Sequence, residues 1–396
     1  MKRAVVRGNV LWLSIVSLLN DAASEMIYPL LPLFLTGTLR AGATLLGVIE
    51  GVAESASSFV KLFSGWFSDR FGRRKPLVIS GYGIAAIARP LIAIVTSPWH
   101  VLAIRLSDRV GKGLRTAPRD ALLAESVDAS MRGRAFGVHR AADHLGAVIG
   151  PVLASLLLLV LDGNLRVVFA AALVPGLVAV LVVILRVREH AAHAATPAAA
   201  GERSVIGFRG HDPVFPRYLA VVFLFTLGNA TDAFLLLRAN ALGISAAAIP
   251  LLWGVHHVSK SAWSVVGGAL SDRIGARRAI VMGWLVYAVT YAGFALASEA
   301  WQIWPLFIVY GFFYGLTEAP EKALVASLAG AGRKGHAFGA YHFAIGIGAL
   351  PASILFGFLW QTFNPATAFY AGASLSLLAV FMLIVWVPAH AGRSDT

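Results

Sequence analysis

The chain has 396 residues, 58% of them hydrophobic and only 13% charged, with a mean hydropathy of +0.74. A soluble globule of this size exposes far more Lys and Glu, so the composition excludes one and points to a chain that crosses a bilayer repeatedly. The net charge of +13 resides in short links between apolar runs, which speaks against nucleic-acid binding, and the absence of cysteine excludes disulfides and thiol chemistry.

The first segment, "MKRAVVRGNVLWLSIVSLLNDAAS", has the look of a cleavable signal. Its apolar run continues through Ile27 to Leu35, however, so it reads as an uncleaved first span. Apolar windows then predict spans near 10–36, 44–67, 77–96, 99–124, 135–160 and 166–186, and again near 217–238, 246–270, 279–298, 301–328, 336–360 and 366–388. The longest polar break divides a first six-helix bundle (1–187) from a second (217–396) by a cytoplasmic linker (188–216) rich in Ala, Pro and Gly. Basic residues fall on alternate links, from Lys2, Arg3 and Arg7 through Arg70 to Lys75 and on to Arg333 and Lys334. By the positive-inside rule both termini face the cytoplasm.

The two halves repeat. "SGWFSDRFGRRKPL" (Ser64–Leu77) returns as "GGALSDRIGARRAI" (Gly267–Ile280), with Asp69 on Asp272 and Gly51 on Gly254 at a shift of 203. "APRDAL" (Ala117–Leu122) matches "APEKAL" (Ala319–Leu324), and "AFG" at Ala135 matches "AFG" at Ala337, both at a shift of 202. An even number of helices per half keeps both copies in the same orientation, a parallel repeat about an axis along the membrane normal.

These links resemble the hallmark of the major facilitator superfamily, G-x-x-x-D-R-x-G-R-[RK]. Gly65, Asp69, Arg70, Gly72, Arg73 and Arg74 fill the first copy; Gly268, Asp272, Arg273, Gly275, Arg277 and Arg278 give a looser second. The resemblance covers essentially the whole chain. It implies an all-α membrane fold, twelve transmembrane helices in two six-helix bundles related by a parallel pseudo-two-fold, and secondary transport. It also implies a cytoplasmic gate latch at Asp69 to Arg74 and at Asp272 with Arg273, where an acid at a helix end meets a base or a helix N-terminus when that side is shut. The basic residues anchor topology as well.

Charges inside the predicted spans carry the functional reading. Each lipid-facing charge near mid-bilayer costs about 2.5–3.5 kcal/mol, so the set must face itself or water. Asp21/Glu25 and Glu50/Glu54 are i,i+4 pairs, and Arg105, Arg109, Lys112 and Arg119 share one helical stripe. Paired carboxylates near arginines suit proton loading and release, which assigns proton coupling to Asp21, Glu25, Glu50, Glu54, Arg109, Asp120 and Asp143. Lys61 and Asp108 read instead as structural pairing. "RVGKGLR" (Arg109–Arg115) resembles the family's helix-four signature, linked there with proton transfer. The extra bases of this helix leave room for an anionic substrate group. "GAVIGP" resembles the helix-five signature of proton-exchanging exporters, which makes Gly146, Gly150 and Pro151 gating candidates, although its final glycine pair is replaced by Ala154-Ser155. Substrate contact is expected from Arg105, Arg115, Asp232, His256, His257, Glu318, Tyr341 and His342. Adjacent His256 and His257 lack metal-ligand spacing.

There is no nucleophile elbow, H-E-x-x-H pair or phosphate-binding loop, so neither an enzyme nor an ATP-driven pump is expected. A non-transporting receptor has no need of a duplicated latch. The expectation is a monomeric, proton-coupled exporter of a small amphipathic or anionic compound in a prokaryotic inner membrane. Its partners are that substrate, protons and the bilayer, with no nucleic acid and no cofactor beyond the proton gradient. Proton-driven import and export of a metal or metal chelate are the alternatives.

Overall fold

The protein is described by a computed structural model over residues 7–71, 74–127, 131–189, 211–329 and 334–388; at 61–71, 132–134, 265, 269, 272 and 334–336 the backbone alone is described. Twelve helical rods run through these residues. The first six are α1 (Asn9–Ile27, continued by tighter and wider turns to Thr38), α2 (Ala43–Phe71), α3 (Lys75–Ala88, continued as a 3-10 stretch Arg89–Ile94), α4 (Pro98–Glu125), α5 (Arg132–Val160) and α6 (Leu165–Ala171, resuming at Leu173–Arg186). The second six are α7 (Phe215–Gly228, resuming at Ala233–Ala241), α8 (Ala248–Ile274), α9 (Ala276–Leu296), α10 (Ala300–Leu328), α11 (Lys334–Thr362) and α12 (Pro365–Trp386). Each falls on a predicted span.

Among the described residues, nine of these rods are long and apolar enough to cross a membrane. The three outside that set are α4, α8 and α10, which carry Arg105 to Asp120, His256 to Lys260 and Glu318 to Lys322. Side chains on the outer faces of the rods are themselves apolar, as at Ile94, Val160, Val289, Leu296 and Phe381, because their solvent is hydrocarbon rather than water.

Local chemistry sets the sharp ends. The Ser97 hydroxyl accepts from the Trp99 N–H in front of α4, Glu299 and Gln302 form a capping box for α10, and Asn364 Oδ1 accepts from the Thr367 N–H at 2.8 Å for α12. Between α8 and α9 the chain turns on Gly275 at φ +89°, a left-handed conformation that explains the glycine of the second motif copy. α7 departs from the predicted unbroken span 217–238: the helix opens at Asn229 and restarts at Ala233. Freed backbone inside a membrane needs other partners, and Tyr287 Oη donates to the Gly228 carbonyl at 2.8 Å.

The chain divides into two compact units. One holds 1–40, 56–199 and 245–254; the other holds 41–55, 200–244 and 255–396. These units differ from the expected contiguous halves by one short segment each. The exchanged segments, 41–55 leading into α2 and 245–254 leading into α8, fall at nearly matching positions of the internal repeat. The reason is close contact. In the second unit the Ser55 hydroxyl donates to the Gly346 carbonyl at 2.6 Å, and a Cβ on Gly357 would lie 2.5 Å from the Ala43 carbonyl oxygen. In the first, the Ser155 hydroxyl donates to the Ala247 carbonyl at 2.6 Å.

Candidate functional site

In the first unit α1 packs along α5 with almost no gap. A Cβ on Gly146 would run into the Leu18 carbonyl and one on Gly150 would sit 2.5 Å from that of Ala22, so the helix-five glycines are where the two backbones meet. This contact brings Asp143 of α5 to α1, where the Ser17 hydroxyl donates to its Oδ1. One turn on, Asn20 Nδ2 donates to Asp21 Oδ1 at 2.9 Å. One turn further, Trp253 Nε1 donates to Glu25 Oε2 at 2.7 Å, and the Trp253 ring lies 5.4 Å from that of Tyr28.

Beside these carboxylates lies an ionic cluster. Arg89 Nε donates to Asp108 Oδ1 at 2.8 Å, Arg105 Nη1 lies 3.8 Å from Asp108 Oδ2, and all three side chains are at most 7% exposed. The Arg105 guanidinium also sits over the Tyr28 ring at 5.6 Å. Arg115, buried, stacks on Tyr82 at 4.6 Å and donates to the Gly81 carbonyl at 3.2 Å. The structural pairing expected of Asp108 is therefore present, whereas Lys61 lies where only the backbone is described. Arg109 is partly buried on α4. Asp120 stands apart from the proton-coupling set: its carboxylate accepts from Arg119 Nη2 at 2.8 Å and is 40% exposed.

The second unit handles its carboxylates differently. Asp232, in the break of α7, accepts from Tyr310 Oη at 2.6 Å and Tyr314 Oη at 3.0 Å. His256 stacks on Tyr310 at 5.2 Å, with Nδ1 3.2 Å from the Phe307 carbonyl oxygen, and His257 meets it edge-on at 5.7 Å. Lys260 places its ammonium 3.9 Å from the Tyr314 ring centre and 3.7 Å from Glu318, which Lys322 approaches at 3.3 Å. Glu321 is buried, accepting from Trp284 Nε1 at 3.0 Å and Tyr341 Oη at 2.6 Å. The expected substrate set is thus brought together only in part. Asp232, His256, His257 and Glu318 join through Tyr310, Tyr314 and Lys260, while Tyr341, with His342 at its edge, belongs to Glu321. Glu50 and Glu54 do not share one environment, since Glu50 is buried and Glu54 exposed. Among the described residues no group of three or more His, Cys, Asp or Glu side chains is arranged to hold a metal ion.

Of the gating candidates, Gly65, Asp69 and Arg70 lie on the last turns of α2, where only the backbone is described. Gly72 and Arg73 lie outside the described residues. Arg74 pairs with Glu125 at the end of α4, and Glu189 Oε1 accepts from the backbone N–H of Arg74 and of Lys75, capping α3. In the second copy Arg273 is exposed, and Asp272 is described by its backbone alone.

Sequence reasoning missed Arg89, Asn20, Tyr310 and the pairing of Trp284 with Glu321. Arg89, directly before Pro90, falls inside the predicted span 77–96 but was not counted among the charges there; the 3-10 continuation to Ile94 keeps it within the rod. Tyr310 was legible as the i−4 neighbour of Tyr314. A buried Trp or Tyr needs an acceptor, which is the signal that leads to Glu321.

The Major Facilitator Superfamily profile matches residues 13–353 and, separately, 219–396. An uncharacterized MFS-type transporter of Methanocaldococcus jannaschii is 30% identical over 384 residues, 95% of this chain and 94% of that protein. The multidrug resistance protein MdtH of Salmonella arizonae is 24% identical over 339 residues, covering 85% and 82%. Among solved structures, a D323A mutant of the nucleoside transporter NupG superposes with a TM-score of 0.81 at 15% identity, over 96% of this chain and 100% of that one. A D-xylose-proton symporter superposes with a TM-score of 0.77 at 17% identity, over 97% and 98%. These similarities and the all-helical architecture identify the chain as a multi-pass membrane transporter for a small-molecule substrate, a member of the major facilitator superfamily.

Proposed function

We propose that the protein is a proton-coupled exporter of a small amphipathic or anionic compound, working by alternating access in a prokaryotic inner membrane with both termini in the cytoplasm. The proton gradient is its driving force and the monomer its working form. The observation that carries this reading is the partnering of Asp21, Glu25 and Asp143, whose oxygens are held by an amide, an indole and a hydroxyl. Protonating a carboxylate inside a buried ion pair strands an unpaired cation at a cost of several kcal/mol. A hydrogen bond from a neutral donor leaves no cation behind when its carboxylate is protonated, so these contacts suit repeated loading and release; Asp143 also has the exposed Arg140 3.8 Å away. The likeness to MdtH, a multidrug resistance protein, supports the export direction. For the cargo, Arg115 offers a buried guanidinium whose partners are a carbonyl and a ring, and the Asp232 cluster offers aromatic faces.

The test uses proteoliposomes containing a pH-reporting dye and a panel of amphipathic cations, organic anions and neutral lipophiles. A compound that the protein exchanges for protons changes the internal pH in wild type and not in Asp21→Asn with Glu25→Gln. Compound flux that neither moves protons nor responds to an imposed pH gradient overturns the reading.

A further inference from the structure

Arg89 touches none of the carboxylates assigned to proton exchange, yet its hydrogen bonds lead to one. Its Nε donates to Asp108 Oδ1 at 2.8 Å on α4; its Nη1 donates to the Asn20 backbone oxygen at 3.1 Å and to Asn20 Oδ1 at 3.0 Å on α1. Asn20 Nδ2 in turn donates to Asp21 Oδ1 at 2.9 Å. A guanidinium has only donors, so it fixes which end of the Asn20 amide faces it. The oxygen must turn to Arg89, and the NH2 group is therefore aimed at Asp21. Arg89 and Asn20 are each about 6% exposed, so water does not substitute for either contact.

We propose that Arg89 is a positioning residue for proton binding at Asp21, acting through the side chain of Asn20. This rests on the reading of Asp21 as a proton-exchanging group. With Arg89 in place the Asn20 amide always presents a donor to the carboxylate and favours its charged form; without it the amide is free to turn its oxygen toward Asp21. Because the same guanidinium grips Asp108, movement of α4 relative to α1 loosens the grip on Asn20 and changes proton affinity at Asp21. Other groups in electrostatic reach of Asp21 are Asp143 and His139 on α5, Lys112 and Arg115 on α4, and Glu25 on its own helix. Each remains in place in the variants below.

The experiment follows, by infrared difference spectroscopy against pH on the full chain in liposomes, the protonated-carboxyl band that Asp21→Asn removes. Asn20→Ala leaves the Arg89–Asp108 pair intact and is expected to move the midpoint up by about one pH unit, a tenfold gain in proton affinity. Arg89→Lys, which keeps the charge but lacks the planar fork, is expected to move it in the same direction by less, and the double variant no further than Asn20→Ala alone. A midpoint unchanged in Asn20→Ala overturns the positioning role while leaving Asp21 as a proton site. Additive shifts in the double variant overturn the relay through Asn20. A wild-type spectrum with no titrating band that Asp21→Asn removes overturns the reading of Asp21 itself, and the role of Arg89 falls with it. Should Arg89→Lys fail to fold, Asn20→Ala still decides.

Discussion

Both units bury polar groups inside a membrane protein, and their most buried clusters differ in kind. The first uses ions: Arg89, Asp108 and Arg105 form a cluster at 7% exposure or less. The second surrounds its buried carboxylates with phenols and an indole, Tyr310 and Tyr314 on Asp232 and Trp284 and Tyr341 on Glu321, and leaves its ion pairs to the more exposed Glu318 with Lys260 and Lys322. The contrast is sharpest where the sequences align. Under the shift of 202, Glu321, Trp284 and Tyr341 fall on Arg119, Tyr82 and His139. In the second unit an acceptor sits among donors and all are satisfied. In the first a guanidinium takes the acceptor's place; it pairs with Asp120, and among the described residues the Tyr82 hydroxyl and both His139 ring nitrogens, though buried, have no hydrogen-bond partner.

Breaking an ionic cluster and breaking a neutral one should differ most in stability. Asp108→Ala takes the carboxylate away from the buried Arg89 guanidinium, an expected loss of about 3–5 kcal/mol seen as a collapse of the thermal midpoint in detergent. Asp232→Asn keeps an oxygen for Tyr310 or Tyr314 and is expected to cost about 1 kcal/mol in the same assay. Equal losses would remove the distinction.

Helix packing sharpens the comparison next. A Cβ on Gly150 meets the Ala22 carbonyl at 2.5 Å, backbone that cannot turn aside, whereas a Cβ on Gly348 meets the Thr226 methyl at 2.8 Å. Gly150→Ala is expected to cost about 1–3 kcal/mol, and Gly348→Ala less. Within the neutral site, Tyr341→Phe withdraws one of the two donors on Glu321 for about 1 kcal/mol, read by unfolding in denaturant. The smallest effect is expected at Arg140, 63% exposed and 3.8 Å from Asp143, where Arg140→Ala should leave stability within about 0.5 kcal/mol. A large loss there would mean that Asp143 belongs to the ionic class.

The positions of the rods were readable because a span of hydrocarbon demands a long apolar run, whereas Gly275 was marked only by its match to the link motif and its left-handed turn came from the structure. The opening of α7 was not readable. Asn229 to Asp232 sit in an apolar window, and what supports the break is Tyr287, sixty residues away in sequence to within a few positions, not local propensity. Carboxylates stood out in the sequence, but their partners did not. Asp108, between Arg105 and Arg109, was readable as a structural pair, but only the fold reveals Arg89 as its close partner and the Asn20 amide on Asp21. The grouping of 41–55 and 245–254 was likewise hidden, since it depends on contacts between distant helices such as Gly357 with Ala43 and Ser155 with Ala247.

The most direct test of the central claim, that carboxylates with neutral partners carry the protons, is the proton count per transported molecule in liposomes for Asp21→Asn beside Asp120→Asn. Asp21→Asn should uncouple flux from the pH gradient, while Asp120→Asn, altering a carboxylate already engaged by Arg119, should keep the wild-type ratio. Loss of coupling in Asp120→Asn with full coupling in Asp21→Asn would contradict the account.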